Sequence, residues 1–160
     1  MLRKRVIPRR YPDSAAFDGE LSIPAVATVE VTSEDGAHPV DHAFDPHRGP
    51  GGTRWIAGEP GAQTVLLVFD HPQVLRTIGV EIEELAVSRT QELTVAVSSD
   101  GGRTYRELVR QEFTFSPTGT SFEREVWARA ESGVTHLRLD IKPDKGGHVG
   151  LATLTSLILA

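Results

Sequence analysis

Apolar and polar positions alternate repeatedly along this 160-residue chain. The alternation has the period of two that a strand with one buried face requires. It is clearest over residues 91–108, where Leu93, Val95 and Val97 alternate with Thr94, Ala96 and Ser98, and Asp100-Gly101-Gly102 follows at once. Those glycines supply the positive φ that a tight hairpin turn needs, and the partner strand is predicted over 106–115. The same reading predicts strands at 27–31, 64–69, 78–82, 122–128, 136–141 and 151–159, with turns at 70–73 and 116–119. Residues 64–69 (TVLLVF) form an apolar run behind Thr64, which predicts a central strand buried on both sides. The expected core is Leu66, Val68, Ile78, Val80, Leu93, Val95, Val97, Leu137 and Leu139. About eight strands, one helical turn at 39–44 and no helix-length amphipathic segment predict an all-β fold, an antiparallel β-sandwich of the jelly-roll type.

The pattern also divides the chain. Residues 1–24 carry Pro8, Pro12 and Pro24 without sustained periodicity, so an extended basic arm is expected ahead of a single sandwich domain, 25–160. His47–Gly52 (HRGPGG) cannot be regular structure and is expected as an exposed loop. Antiparallel strands send successive loops to opposite ends of a sandwich. Loops 47–63, 84–91, 113–121 and 142–150 then share one end, and the turns at 71–72, 100–102 and 131–133 share the other. The first set is longer and more polar, and ligands are usually met by such loops on a rigid scaffold.

Composition narrows the picture. Hydrophobic residues make up 39% and charged residues 24%, which describes an ordinary globular domain. The chain has no cysteine, which excludes disulfides, thiolate metal sites and a cysteine nucleophile. With no apolar h-region behind the basic N-terminus and no run near the ~20 residues of a membrane span, a cytoplasmic location is expected, secretion being the alternative. Net charge is −5, but Arg3, Lys4, Arg5, Arg9 and Arg10 concentrate +5 in the first ten residues, leaving 12 basic against 22 acidic residues beyond them. An acidic body disfavours nucleic acid as its main ligand, although a basic arm suits an acidic surface.

Five segments in order carry a resemblance: Ala43-Phe44-Asp45, Thr53-Arg54-Trp55, the buried strand 65–69, Val97-Ser98-Ser99-Asp100-Gly101 followed by Tyr105, and Leu137-Arg138-Leu139. Over residues 27–159 the chain resembles the discoidin or coagulation factor 5/8 type C domains and the related family 32 carbohydrate-binding modules, which share a galactose-binding-like jelly roll. The residues 113–117 (FTFSP) are also similar to a segment of the N-terminal domain of the X-ray repair cross-complementing scaffold. The first resemblance implies a non-catalytic module binding a carbohydrate or similar polar ligand. The second implies a protein-interaction or DNA-repair scaffold domain, with a protein partner. The first also implies a structural calcium ion held by Asp45 with the hydroxyl or carbonyl of Thr53, a core tryptophan at Trp55 and a ligand-binding arginine at Arg89. Two departures stand out: Asp45 precedes Pro46 where relatives read Asp-Gly, and Ser156 stands where calcium-binding relatives often place a glutamate.

Other residues could carry chemistry by type and place. Arg48, Arg89, Lys142, Lys145 and His148 are expected to form a basic ligand-binding rim at the long-loop end, since guanidinium and ammonium groups hold hydroxyls and anions. His38, His42, Asp45 and His47 are the densest set of metal-ligand types, but their spacing fits no zinc motif. Trp127 falls out of phase with Phe122 and Val126, so its ring is expected partly exposed. Glu83 and Glu84 are adjacent on a strand and must face apart, so they cannot act as a glycosidase pair. No G-x-S-x-G, H-E-x-x-H or P-loop sequence occurs.

Overall fold

The computed structural model describes residues 3–6, 17–147 and 150–160. Eight strands run in order: β1 (Ala27–Val31), β2 (Trp55–Ile56), β3 (Gln63–Glu83), β4 (Arg89–Ser98), β5 (Arg106–Phe115), β6 (Phe122–Lys142), β7 (Thr153–Leu154) and β8 (Ser156–Leu159). A single helical turn α1 (Ile23–Val26) precedes β1, with Pro24 in its first positions, where a missing N–H costs nothing. The helical turn expected at 39–44 is a 3-10 turn, Val40–Phe44. Among the described residues no helix is long and apolar enough to cross a membrane.

All pairings are antiparallel. One layer has the order β1-β3-β6-β4-β5; β8 pairs with the second half of β3, and β2 pairs with β7. The four strands expected at 64–69, 78–82, 122–128 and 136–141 are two long ones. β3 and β6 pair from Gln63↔Ile141 to Glu83↔Phe122, with register shifts between Val68 and Thr77. The turn expected at 70–73 is therefore a bulged bend inside β3, and Gly133, at φ 65°, lies in the matching stretch of β6. Bulges let paired strands turn a corner and serve both layers without breaking their ladder.

The core lies between the layers. Ile78, Val80, Leu93, Val95, Leu137 and Leu139 are fully buried and Val97 nearly so, as the alternation requires. Leu66 and Val68 are not in it. Val65, Leu67 and Phe69 fill the core, while Leu66 and Val68 lie half-exposed opposite Glu30 and Thr28 of β1. An apolar residue at every position of 65–69 hides which parity faces inward. Trp55 is buried completely, and its indole N–H donates to the Ser33 carbonyl at 3.1 Å. Trp127 is half-buried against the core edge.

The two outer faces differ. Residues 17–24, expected within the arm, lie against the layer that holds β8. Phe17 and Ile23 are buried, and the Leu21 N–H donates to the Leu159 carbonyl at 2.8 Å. Phe17 covers Gly79 so closely that a Cβ there would meet its ring at 2.5 Å, so any larger residue would require the ring to move. No described segment covers the outer face of the five-stranded layer.

At the short-turn end, Asp100 organises the hairpin. It accepts from the Thr104 hydroxyl and N–H, the Ser98 hydroxyl and the Arg103 N–H. These donors, the Thr104 hydroxyl first, hold its carboxyl well below the usual carboxylate range. A depressed pKa contributes stability above the ordinary carboxylate value, and this is lost as pH falls toward the folded value. Acidification from about pH 7 to about pH 3 is expected to lower the urea midpoint of the wild type more than that of Asp100→Asn. Equal losses in the two proteins would overturn this role.

Candidate functional site

The loops fall at two ends, as the strand directions require. At the long-loop end the Glu84 N–H donates to the Ser121 carbonyl and the Lys145 N–H to the Thr90 carbonyl. At the other, the Gly101 N–H donates to the Thr135 hydroxyl, and Arg106 pairs with Glu131.

The expected basic rim, however, is not one surface. Arg89 is only 8% exposed. Its NH1 donates to the carbonyls of Pro143 and Leu151, at 3.2 and 2.6 Å, and its Nε lies 2.9 Å from a Glu84 oxygen. Burial pushes this guanidinium below its ordinary pKa, with Glu84 and Asp144 opposing the shift. Arg89 thus ties Pro143 and Leu151 to β4, which leaves it little surface for a ligand. Lys142 and Lys145 stand beside the buried carboxylate of Glu92, each 3.8 Å away, and Lys145 also pairs with Glu112. His148 lies outside the described residues. Arg48 is drawn aside by its own partner, Glu20. Sequence spacing places residues at an end of the sandwich, but ion-pair partners decide where each cation settles.

Asp45 and Thr53 come together, but as partners of each other. The Thr53 hydroxyl donates to Asp45 Oδ2 at 2.5 Å and the His47 N–H to Oδ1 at 2.9 Å. Calcium takes six to eight oxygen ligands, whereas both oxygens of this carboxylate already face donors. The neighbouring glycine loop is held by other acids. Gly49 N–H donates to Glu81 at 2.9 Å and Gly51 N–H to Glu83 at 3.0 Å. Arg124, Glu81 and Ser156 occupy one cross-strand row. Among the described residues Glu81 Oε1 and Ser156 Oγ are buried there without hydrogen-bond partners, but the Arg124 guanidinium, 3.0 Å from Glu81 Oε2, opposes a cation beside them. Among the described residues, no three acids or histidines gather as a metal site. This donor set does not fit calcium.

The histidines are dispersed as well. His38 Nδ1 lies 2.7 Å from Asp35, and His42 Nδ1 faces the Arg54 carbonyl at 3.1 Å. Glu83 and Glu84 face apart, toward Gly51 and Arg89 respectively.

What Arg48 and Asp45 do share is a cleft of about 590 Å³. Its walls include Pro24, Phe44, Pro46 and Leu157, and its rim carries Glu20, Asp45 and Arg48. Phe44 is half-buried, and both prolines are exposed. The sequence hides this site because Glu20 and Pro24 fall within residues 1–24, the stretch expected as an arm; the amphipathic turn Leu21–Val26 is the available signal.

No protein-family model and no curated protein sequence matches the chain. Solved structures do. A family 32 carbohydrate-binding module from NanJ of Clostridium perfringens, in complex with galactose, matches at TM-score 0.60 and 14% identity, over 88% of this chain and 96% of that one. A second module of that organism, CpGH89CBM32-5 in complex with GalNAc-β-1,3-galactose, matches at 0.60 and 17%, over 88% and 99%. A third, from a family 31 glycoside hydrolase of C. perfringens, matches at 0.65 and 13%, over 93% and 98%. The chain therefore has the antiparallel sandwich fold of the family 32, discoidin-like modules.

Proposed function

We propose that this protein is a non-catalytic carbohydrate-binding module and that the cleft beside Phe44 is its ligand site. The observation that carries the reading is the joining of an aromatic ring, two prolines and fixed charges in one cleft. A sugar offers an apolar C–H face and a rim of hydroxyls. Phe44, Pro24 and Pro46 suit the face. Arg48, held by Glu20, suits the hydroxyls, since charge-assisted hydrogen bonds are the stronger kind. That similar folds in solved structures hold galactose or GalNAc-β-1,3-galactose supports the ligand class. The separation of Glu83 from Glu84 supports the absence of glycosidase chemistry. No observation favours the protein-interaction or DNA-repair alternative.

Galactose and GalNAc-β-1,3-galactose are the first ligands to titrate by calorimetry. Phe44→Ala is expected to abolish the heat of binding. Arg48→Ala should weaken binding by about 1–3 kcal/mol. Unchanged affinity in both variants would move the site elsewhere.

A further inference from the structure

The open face of the five-stranded layer is not bare. Its outward side chains form rows across the strands. One row runs Thr64, Asp140, Thr94, Arg110, and the next runs Leu66, Arg138, Ala96, Glu107. Ala96 is the small residue of the second row, and the surface sinks there into a groove of about 490 Å³, walled by Tyr105, Arg138 and Arg110. That volume lies within the ~300–1,000 Å³ usual for small-ligand sites.

The polar groups in the groove hold one another in place. The Thr64 hydroxyl donates to Asp140 Oδ1 at 2.7 Å, and Arg138 Nε donates to Oδ2 at 3.0 Å. The Arg138 guanidinium also stacks on the Tyr105 ring, 4.2 Å from its centre. Arg110 bridges Glu92 and Glu107 at 2.9 and 3.0 Å. Side chains fixed this way lose little freedom when a ligand arrives, which is what preorganisation means for affinity. Capacity remains: the terminal nitrogens of Arg138 and the hydroxyls of Thr94 and Tyr105 make no hydrogen bond among the described residues.

Charge selects the ligand class. Glu92, Glu107 and Asp140 are balanced by Arg110, Arg138 and Lys142, all lining the groove. A polyanion or a polycation meets as much repulsion as attraction there, and complementarity of potential is what favours a charged partner. The groove also lacks the aromatic, desolvated centre of a protein interface, since its one ring is already stacked by Arg138. A ligand rich in hydroxyls and without net charge can use fixed donors and acceptors of both kinds.

We propose that this groove is a second ligand surface, taking a short neutral oligosaccharide across strands β3, β6, β4 and β5. It shares no lining residue with the Phe44 cleft and does not rest on that site.

The test is a two-dimensional amide NMR titration of the full chain with neutral trisaccharides of gluco, galacto, manno and xylo configuration, each taken to about 10 mM, a range that detects millimolar dissociation constants. Chitosan and galacturonate trimers serve as charged counterparts. At least one neutral sugar is expected to shift the amides of Thr64, Thr94, Tyr105, Arg138 and Asp140. Thr94→Val and Arg138→Met should each raise that dissociation constant about tenfold, the loss expected for one hydrogen-bonding group. Both side chains lie on the surface, so both variants should fold. Arg48→Ala should leave these shifts unchanged, which separates the groove from the cleft. Groove amides unmoved by every neutral sugar, or moved more strongly by a charged trimer, would overturn the proposal. So would full affinity in both groove variants.

Discussion

Val95→Asp is expected to abolish folding. Val95 is fully buried in β4, whose neighbours β5 and β6 place Val109 and Leu139 opposite it. The substitution removes a buried aliphatic side chain worth about 1.5–3 kcal/mol. It then buries a carboxyl group that has no partner, at roughly 2–7 kcal/mol even when neutral. Together these rival the ~5–15 kcal/mol that holds a whole domain. Thr94→Asp is the matched control. Thr94 is the adjacent residue but faces the open groove, so its aspartate stays hydrated and the protein should fold. Circular dichroism and a cooperative urea transition decide the matter. A cooperative transition for Val95→Asp near the wild-type midpoint would contradict the assignment of faces.

Glu81→Ala should produce the second large loss, about 3–5 kcal/mol, the usual cost of breaking a buried ion pair from one side. Glu81 is fully buried and accepts from both Gly49 N–H and Arg124. Alanine leaves that N–H without its acceptor and takes the carboxylate away from the guanidinium. The chain should still fold, with faster hydrogen exchange confined to the glycine loop. Because carboxylates hold this loop, calcium and chelator should give the same melting temperature in the wild type. A calcium-dependent rise that Asp45→Ala removes would show that a cation holds the loop instead.

How much of this was legible in the sequence depended on contrast between neighbouring positions. β1 falls where alternation puts it, because Thr28 and Glu30 separate Ala27, Val29 and Val31, and β5 falls where the Asp100-Gly101-Gly102 turn puts it. In 65–69 that contrast is missing, so Leu66 and Val68 were placed in a core that Val65 and Leu67 occupy. Pro72 and Gly133 marked breaks correctly, but a break in pattern does not say whether a ladder ends or bends. The packing of residues 17–24 on the sandwich is hidden for a similar reason. The burial of Phe17 depends on Gly79, 62 positions away, and no local pattern carries that pairing. The candidate site was harder still. Arg48, Arg89 and Lys142 share an end of the sandwich, as the strand directions require. Glu20, Glu84 and Glu92 then draw them to three different places.

Carbohydrate binding is the central claim, and an array of immobilised neutral, acidic and amino glycans tests it most directly, run with a nicked-DNA binding assay alongside. Binding to a structurally related set of glycans is expected, competed by the free sugar and accompanied by no shift of the DNA. An array without binding, together with retention of nicked DNA, would contradict it.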